Sequence, residues 1–147
     1  MSADLITFLR SRLDEDEEVA RRAAEPEAWV ERRREPLPSW SVELWADPDR
    51  AAVIAGASSA FPVAVTPVGM EDGDADARAA HIARHDPARV LAEVEATRAL
   101  VNDYERFVAE RRRMMGGWDS YPEVSPVLAA FAAIYADHPD YRGAWRL

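Results

Sequence analysis

His81, His85 and His138 are the three histidines of this sequence and the side chains best suited to hold a divalent cation. His81 and His85 stand four positions apart, so a helix through both places two imidazoles on one face, a spacing that suits a metal ion. Asp86 follows directly, and His138, between Asp137 and Asp140, offers a third ligand if the C-terminus folds back. Those residues define one functional reading, a metal-dependent hydrolase. The same residues also read as scaffolding. Asp86-Pro87 is a helix cap followed by proline at the first helical position, and the two histidines then pack where two helices meet.

Other routes to catalysis are closed by composition. The chain of 147 residues has no cysteine, which excludes disulfides, thiolate metal sites and thiol nucleophiles. All 18 basic residues are arginine, so a phosphate-loop lysine and a Schiff-base lysine are excluded as well. Ser58-Ser59 lacks the flanking glycine of a nucleophile elbow. Glu93/Glu95 and the run Asp14–Glu18 lie beside arginines, as solvated helix faces do, and nothing in the pattern separates their acidities as acid–base catalysis requires. No catalytic residue is assigned and no cofactor is expected.

The net charge of −9 is spread unevenly, −3 over residues 1–35, −5 over 36–80 and −1 over 81–147. That balance opposes binding to a phosphate backbone. Arg32–Arg34 and Arg111–Arg113 lack interleaved aromatics, and the second run suits the negative end of a helix dipole. A surface mimicking nucleic acid is the alternative reading of the acids. The aromatic residues point elsewhere. There are five tryptophans, and Trp45, Trp118, Tyr121, Tyr141 and Trp145 fall at strand ends or in irregular segments. They plug the ends of a core or form an interaction patch, since Trp, Tyr and Arg dominate binding hot spots.

The elements that must position these residues follow from periodicity. Ser2 caps a helix whose apolar stripe runs Leu5, Phe8, Leu9, Leu13, Val19, Ala20, Ala23 and stops before Pro26, with Asp14–Glu18 solvated and Arg21 and Arg22 in pairing range. Residues 26–73 hold proline too densely for helices. Within them Trp40–Leu44 and Phe61–Val65 alternate as strands, Ala51–Ala55 is a short apolar run, and Asp47-Pro48-Asp49 is a turn. Pro62 argues for an edge strand or an outward-facing amide. Trp29–Arg32 would make a fourth strand. A short helix from Asp74 or Asp76 to Arg84 precedes the longest one, which starts at Asp86-Pro87, carries Val90, Val94, Thr97, Val101, Tyr104 and Val108 on a stripe that Leu91, Leu100 and Phe107 widen, reaches about Arg113, and is stopped by Met114-Met115-Gly116-Gly117. Ser125-Pro126 starts a final amphipathic helix of Val127, Leu128, Phe131, Ile134 and Tyr135 that His138-Pro139 ends.

Three stretches carry a family likeness: Ala80–Glu95 (AHIARHDPARVLAEVE), Tyr135–Arg142 (YADHPDYR) with Trp145 behind it, and the opening Asp4–Leu9 with its acidic continuation. Together they resemble a family of small actinobacterial and actinophage proteins classed as a domain of unknown function, over nearly the whole chain. The middle stretch is also similar, more loosely, to phage accessory proteins that carry a Pro-Gly-Pro-Trp turn after the first helix. Here Pro26 and Trp29 match that turn. The resemblance implies a phage or mobile-element accessory context and assigns no activity or catalytic residue.

The expectation is therefore an α+β fold in a single domain over residues 1–147. It comprises a helix in 1–25, an antiparallel meander of three to four strands in 26–73, and helices with an aromatic tail in 74–147, one long, packed on one sheet face. The expected function is a non-enzymatic protein-interaction module, cytoplasmic, with a protein partner or a second copy of itself. No apolar run is long enough to span a membrane and no secretion signal opens the chain. Nucleic acid is not an expected partner.

Overall fold

The computed structural model describes residues 2–25, 35–44, 50–55, 62–67, 74–115 and 124–146. In chain order these form helix α1 (Ser2–Ala24), strands β1 (Trp40–Leu44), β2 (Arg50–Ala55) and β3 (Pro62–Pro67), and helices α2 (Asp74–Arg84), α3 (Pro87–Met115) and α4 (Pro126–Ala132). Short 3₁₀ turns follow at Ala133–Tyr135 and Gly143–Trp145. The class is α+β with one antiparallel sheet. The expected strand at Trp29–Arg32, the Asp47 turn, Ser58-Ser59, Arg32–Arg34 and the Gly116-Gly117 stop lie outside the described residues. Among the described residues no helix is long and apolar enough to cross a membrane.

The chain divides into two compact units, one of Met1–Asp16 with Val94–Leu147, the other of Glu17–Glu93. The division falls inside α1 and inside α3.

The Glu17–Glu93 unit is built on the sheet, with strand order β1-β2-β3. Val42 pairs with Val53 across β1 and β2, and Val53 with Ala64 across β2 and β3. Pro62 faces Ile54 and Ala64 faces Val53, so Val63 is an extra residue, a bulge on an edge strand that begins with proline. The central strand is buried on both faces: Ala51 and Val53 on one, Ala52 and Ile54 on the other. α2 lies on the first face, where Ala79 meets Ala51 and Val53, with Trp40, Ala64, Ile82 and Ala83 around them. Small residues at these contacts let helix and sheet approach closely.

The other unit is held by larger side chains. Leu5, Ile6, Phe8 and Leu9 from α1 meet Val101 from α3, Leu128 and Ala132 from α4, and Trp145. The Ser125-Pro126 signal is realised: Ser125 is extended and buried, its hydroxyl accepts from Leu128 N at 3.4 Å, and Pro126 opens α4. The final helix is shorter than its apolar pattern predicts. α-Helical bonding ends at Ala132 and tightens into the 3₁₀ turn, and Tyr135 O then accepts from His138 N at 3.0 Å.

Candidate functional site

The histidine–aspartate–proline junction lies in the Glu17–Glu93 unit. His81 sits in the last turn of α2, and His85 continues it by donating its N–H to His81 O and Ile82 O. Both side chains are exposed, with ring centroids 4.6 Å apart and planes tilted by 53°. Asp86 is engaged on both oxygens. One carboxylate oxygen accepts from Arg89 N at 2.8 Å, which caps α3, and the other from Trp40 N at 3.2 Å. Two residues on, Ala88 N donates to Pro38 O at 2.9 Å. The junction thus ties the start of α3 to the entry of β1 through a side chain and a main-chain bond. A carboxylate holding two backbone N–H groups is a structural anchor.

His138 belongs to the other unit and to a half-buried polar group there. Arg12, only 7% exposed, points its guanidinium at Glu15 (2.6 Å) and at His138 Nε2, and stacks against Phe8. Asp140 N approaches the other ring nitrogen at 3.1 Å. Guanidinium and amide only donate, and a neutral imidazole has one lone pair, so one of these two contacts is a hydrogen bond at a time. Tyr135 Oη donates to Asp16 Oδ2 at 2.6 Å. Burial, and then that bond to a carboxylate, push the Tyr135 phenol well above its ordinary range. This arrangement fastens the C-terminal segment to α1; it presents no nucleophile. Among the described residues, no group of three or more His, Cys, Asp or Glu side chains is placed to share a metal ion.

The aromatic candidates separate. Trp145 is 2% exposed and packs on Phe8 at 5.0 Å between ring centroids, with Tyr141 half-buried edge-on to both. These two plug the core. Trp45, Trp118 and Tyr121 lie outside the described residues. A recess of about 270 Å³ between α1 and the second half of α3 is lined by Arg10, Asp14, Arg98, Val101 and Asn102. Its charges are cross-linked already: Arg10 bonds Glu105 at 2.5 Å and Asn102 at 3.0 Å, and Arg98 bonds Asp14. Acids are matched by arginines elsewhere too, as in Arg142–Asp4, Arg89–Glu93 and Arg106–Asp103.

Two features escape the sequence pattern. Arg12 and Asp16 continue the inward row of Phe8 at four-residue steps, a signal masked by the reading of Asp14–Glu18 as solvated. The second is that Leu100 and Phe107, expected to widen the apolar stripe of α3, are 46% and 45% exposed and stand instead in an outer row with Met114, 79% exposed. Their seven-residue spacing was the available signal.

No curated protein and no solved structure matches the chain. A family model does, over residues 2–147. The chain therefore belongs to the family of unknown function DUF6221.

Proposed function

We propose that residues 1–147 act as a non-enzymatic interaction module, cytoplasmic and of phage or mobile-element accessory type, that works as a symmetric pair of chains joined along α3. The row Leu100, Phe107 and Met114 carries this reading. Residues seven apart on an α-helix drift only about 20° per step, so the three share one face. That face lies about 100° round the helix from the inward row Val94 and Val101. Apolar side chains in line on an exposed helix face support an interface there.

A second copy is the occupant that the neighbouring charges fit. Placed antiparallel about a two-fold axis at Phe107, Leu100 of one chain meets Met114 of its mate, and Asp103, which also bonds Arg106 of its own chain, lies level with the mate's Arg111. Both ion pairs repeat by symmetry, as an isologous contact requires. The resemblance to small actinobacterial and actinophage proteins supports the accessory context. No observation favours the hydrolase or the nucleic-acid mimic over this reading.

Sedimentation equilibrium of the full chain tests it. The wild type is expected as a dimer that dissociates on dilution. Leu100→Glu and Met114→Glu, both at exposed positions, are expected to stay monomeric with unchanged circular dichroism. A wild-type chain that is monomeric at every concentration overturns the proposal.

A further inference from the structure

We propose that His81 and His85 form a two-imidazole chelate for a divalent transition-metal ion, such as Cu(II), Ni(II) or Zn(II), on the exposed face of the last turn of α2. Neither imidazole is spent on the core, since both are exposed, and each shows its ring to the other across one helical turn, with centroids 4.6 Å apart. The ring separation is compatible with one shared ion. A metal–nitrogen bond of about 2.0–2.1 Å and a nitrogen about 1.1 Å from its ring centroid put a shared ion about 3.1 Å from each centroid. With a nitrogen of each ring turned to that ion, centroids 4.6 Å apart subtend about 95° at it. That is a cis arrangement, between the square-planar angle and the tetrahedral one. Imidazole is a ligand shared by zinc, copper and nickel, so the donor set selects this class over magnesium or calcium.

The site is open. Asp86, the nearest carboxylate in sequence, is held on both oxygens by Arg89 N and Trp40 N, so the proposed donors are the two imidazoles. Water completes the coordination. Arg78 and Arg84, each three residues from His81 on the same helix, place positive charge nearby and keep the affinity modest. Because the chelate spans positions i and i+4, an ion there stabilises the turn that leads into the Asp86 anchor. Binding to the folded state alone raises the unfolding temperature.

Isothermal titration of the full chain near neutral pH with CuCl₂, NiCl₂ and ZnCl₂ tests the chelate, alongside His81→Ala, His85→Ala and His138→Ala. Expected are one ion per chain, copper held tighter than nickel, and a loss of about tenfold or more in either α2 variant. His138→Ala is expected to bind as the wild type does. NMR of the unsubstituted protein gives a second reading: Zn(II) should move the ring signals of His81 and His85 together and leave His138 in place. Absence of binding, binding unchanged in both α2 variants, or a shift at one of the two rings alone overturns the proposal.

Discussion

The two compact units solve the same problem with different materials. The unit of residues 1–16 and 94–147 is held by large side chains, with Phe8 ringed by Tyr135, Tyr141, Trp145 and His138 at centroid distances of 5.0–6.3 Å. The unit of residues 17–93 buries alanines and one valine between sheet and helix, and relies on the β-ladder and on the Asp86 anchor. Apolar area scales with side-chain size, so the first unit has more to lose from any one truncation. The second depends more on backbone partners, where one carboxylate serves two elements.

Substitutions separate these regimes. Trp145→Ala should cost the most, about 3–5 kcal/mol, because it deletes a fully buried ring. Val53→Ala in the central strand should cost about 2 kcal/mol, from about 0.8 kcal/mol per lost methylene plus the cavity left behind. Denaturant midpoints of the two variants measure both. Equal losses would erase the contrast between the cores.

Asp86→Ala should cost about 1–2 kcal/mol, through the lost cap of α3 and an orphaned Trp40 N–H. Asp86→Asn, which keeps an acceptor oxygen, should recover part of that. Hydrogen exchange sharpens the assignment, since the Arg89 and Trp40 amides should both lose protection in Asp86→Ala.

Smaller effects distinguish two tyrosines of the aromatic unit. Tyr135→Phe removes the bond to Asp16 and should cost about 1 kcal/mol. Tyr141 Oη is buried with no hydrogen-bond partner among the described residues, so Tyr141→Phe should be neutral or stabilising. Tyr135 also sets a pH dependence. Its folded-state pKa is raised above the ordinary value near 10. The neutral phenol therefore contributes stability that is complete below about pH 10 and is lost as pH rises beyond it. Thermal unfolding through the alkaline range should show the decline in the wild type and a shallower one in Tyr135→Phe.

Much of this architecture is legible in the sequence because its signals are local. Asp86-Pro87 and Ser125-Pro126 pair a capping side chain with a ring that suits the first helical turn, and both helices begin there. Alternation at Trp40–Leu44 and the proline at 62 place a strand and an edge. The remainder depends on tertiary neighbours. Arg12 reads as one more surface charge until Tyr135 and His138 are known to fold over α1. Tyr141 and Trp145 read equally as plugs or as a patch until Phe8 is placed beside them. Ala52 and Ile54 give no hint that β2 is covered on both faces. As for the metal-ligand set, His81 and His85 are paired by helical spacing alone, whereas joining His138 to them needed a fold-back that no local pattern encodes.

The proposed pairing of two chains along α3 is tested most directly by exchanging charge. Sedimentation equilibrium should show that Asp103→Arg and Arg111→Asp each weaken self-association, since each sets like charges opposite one another. The double exchange should restore it by re-forming the pair across the two-fold axis. Association that ignores both single exchanges, or that the double exchange fails to rescue, would contradict an antiparallel α3 interface.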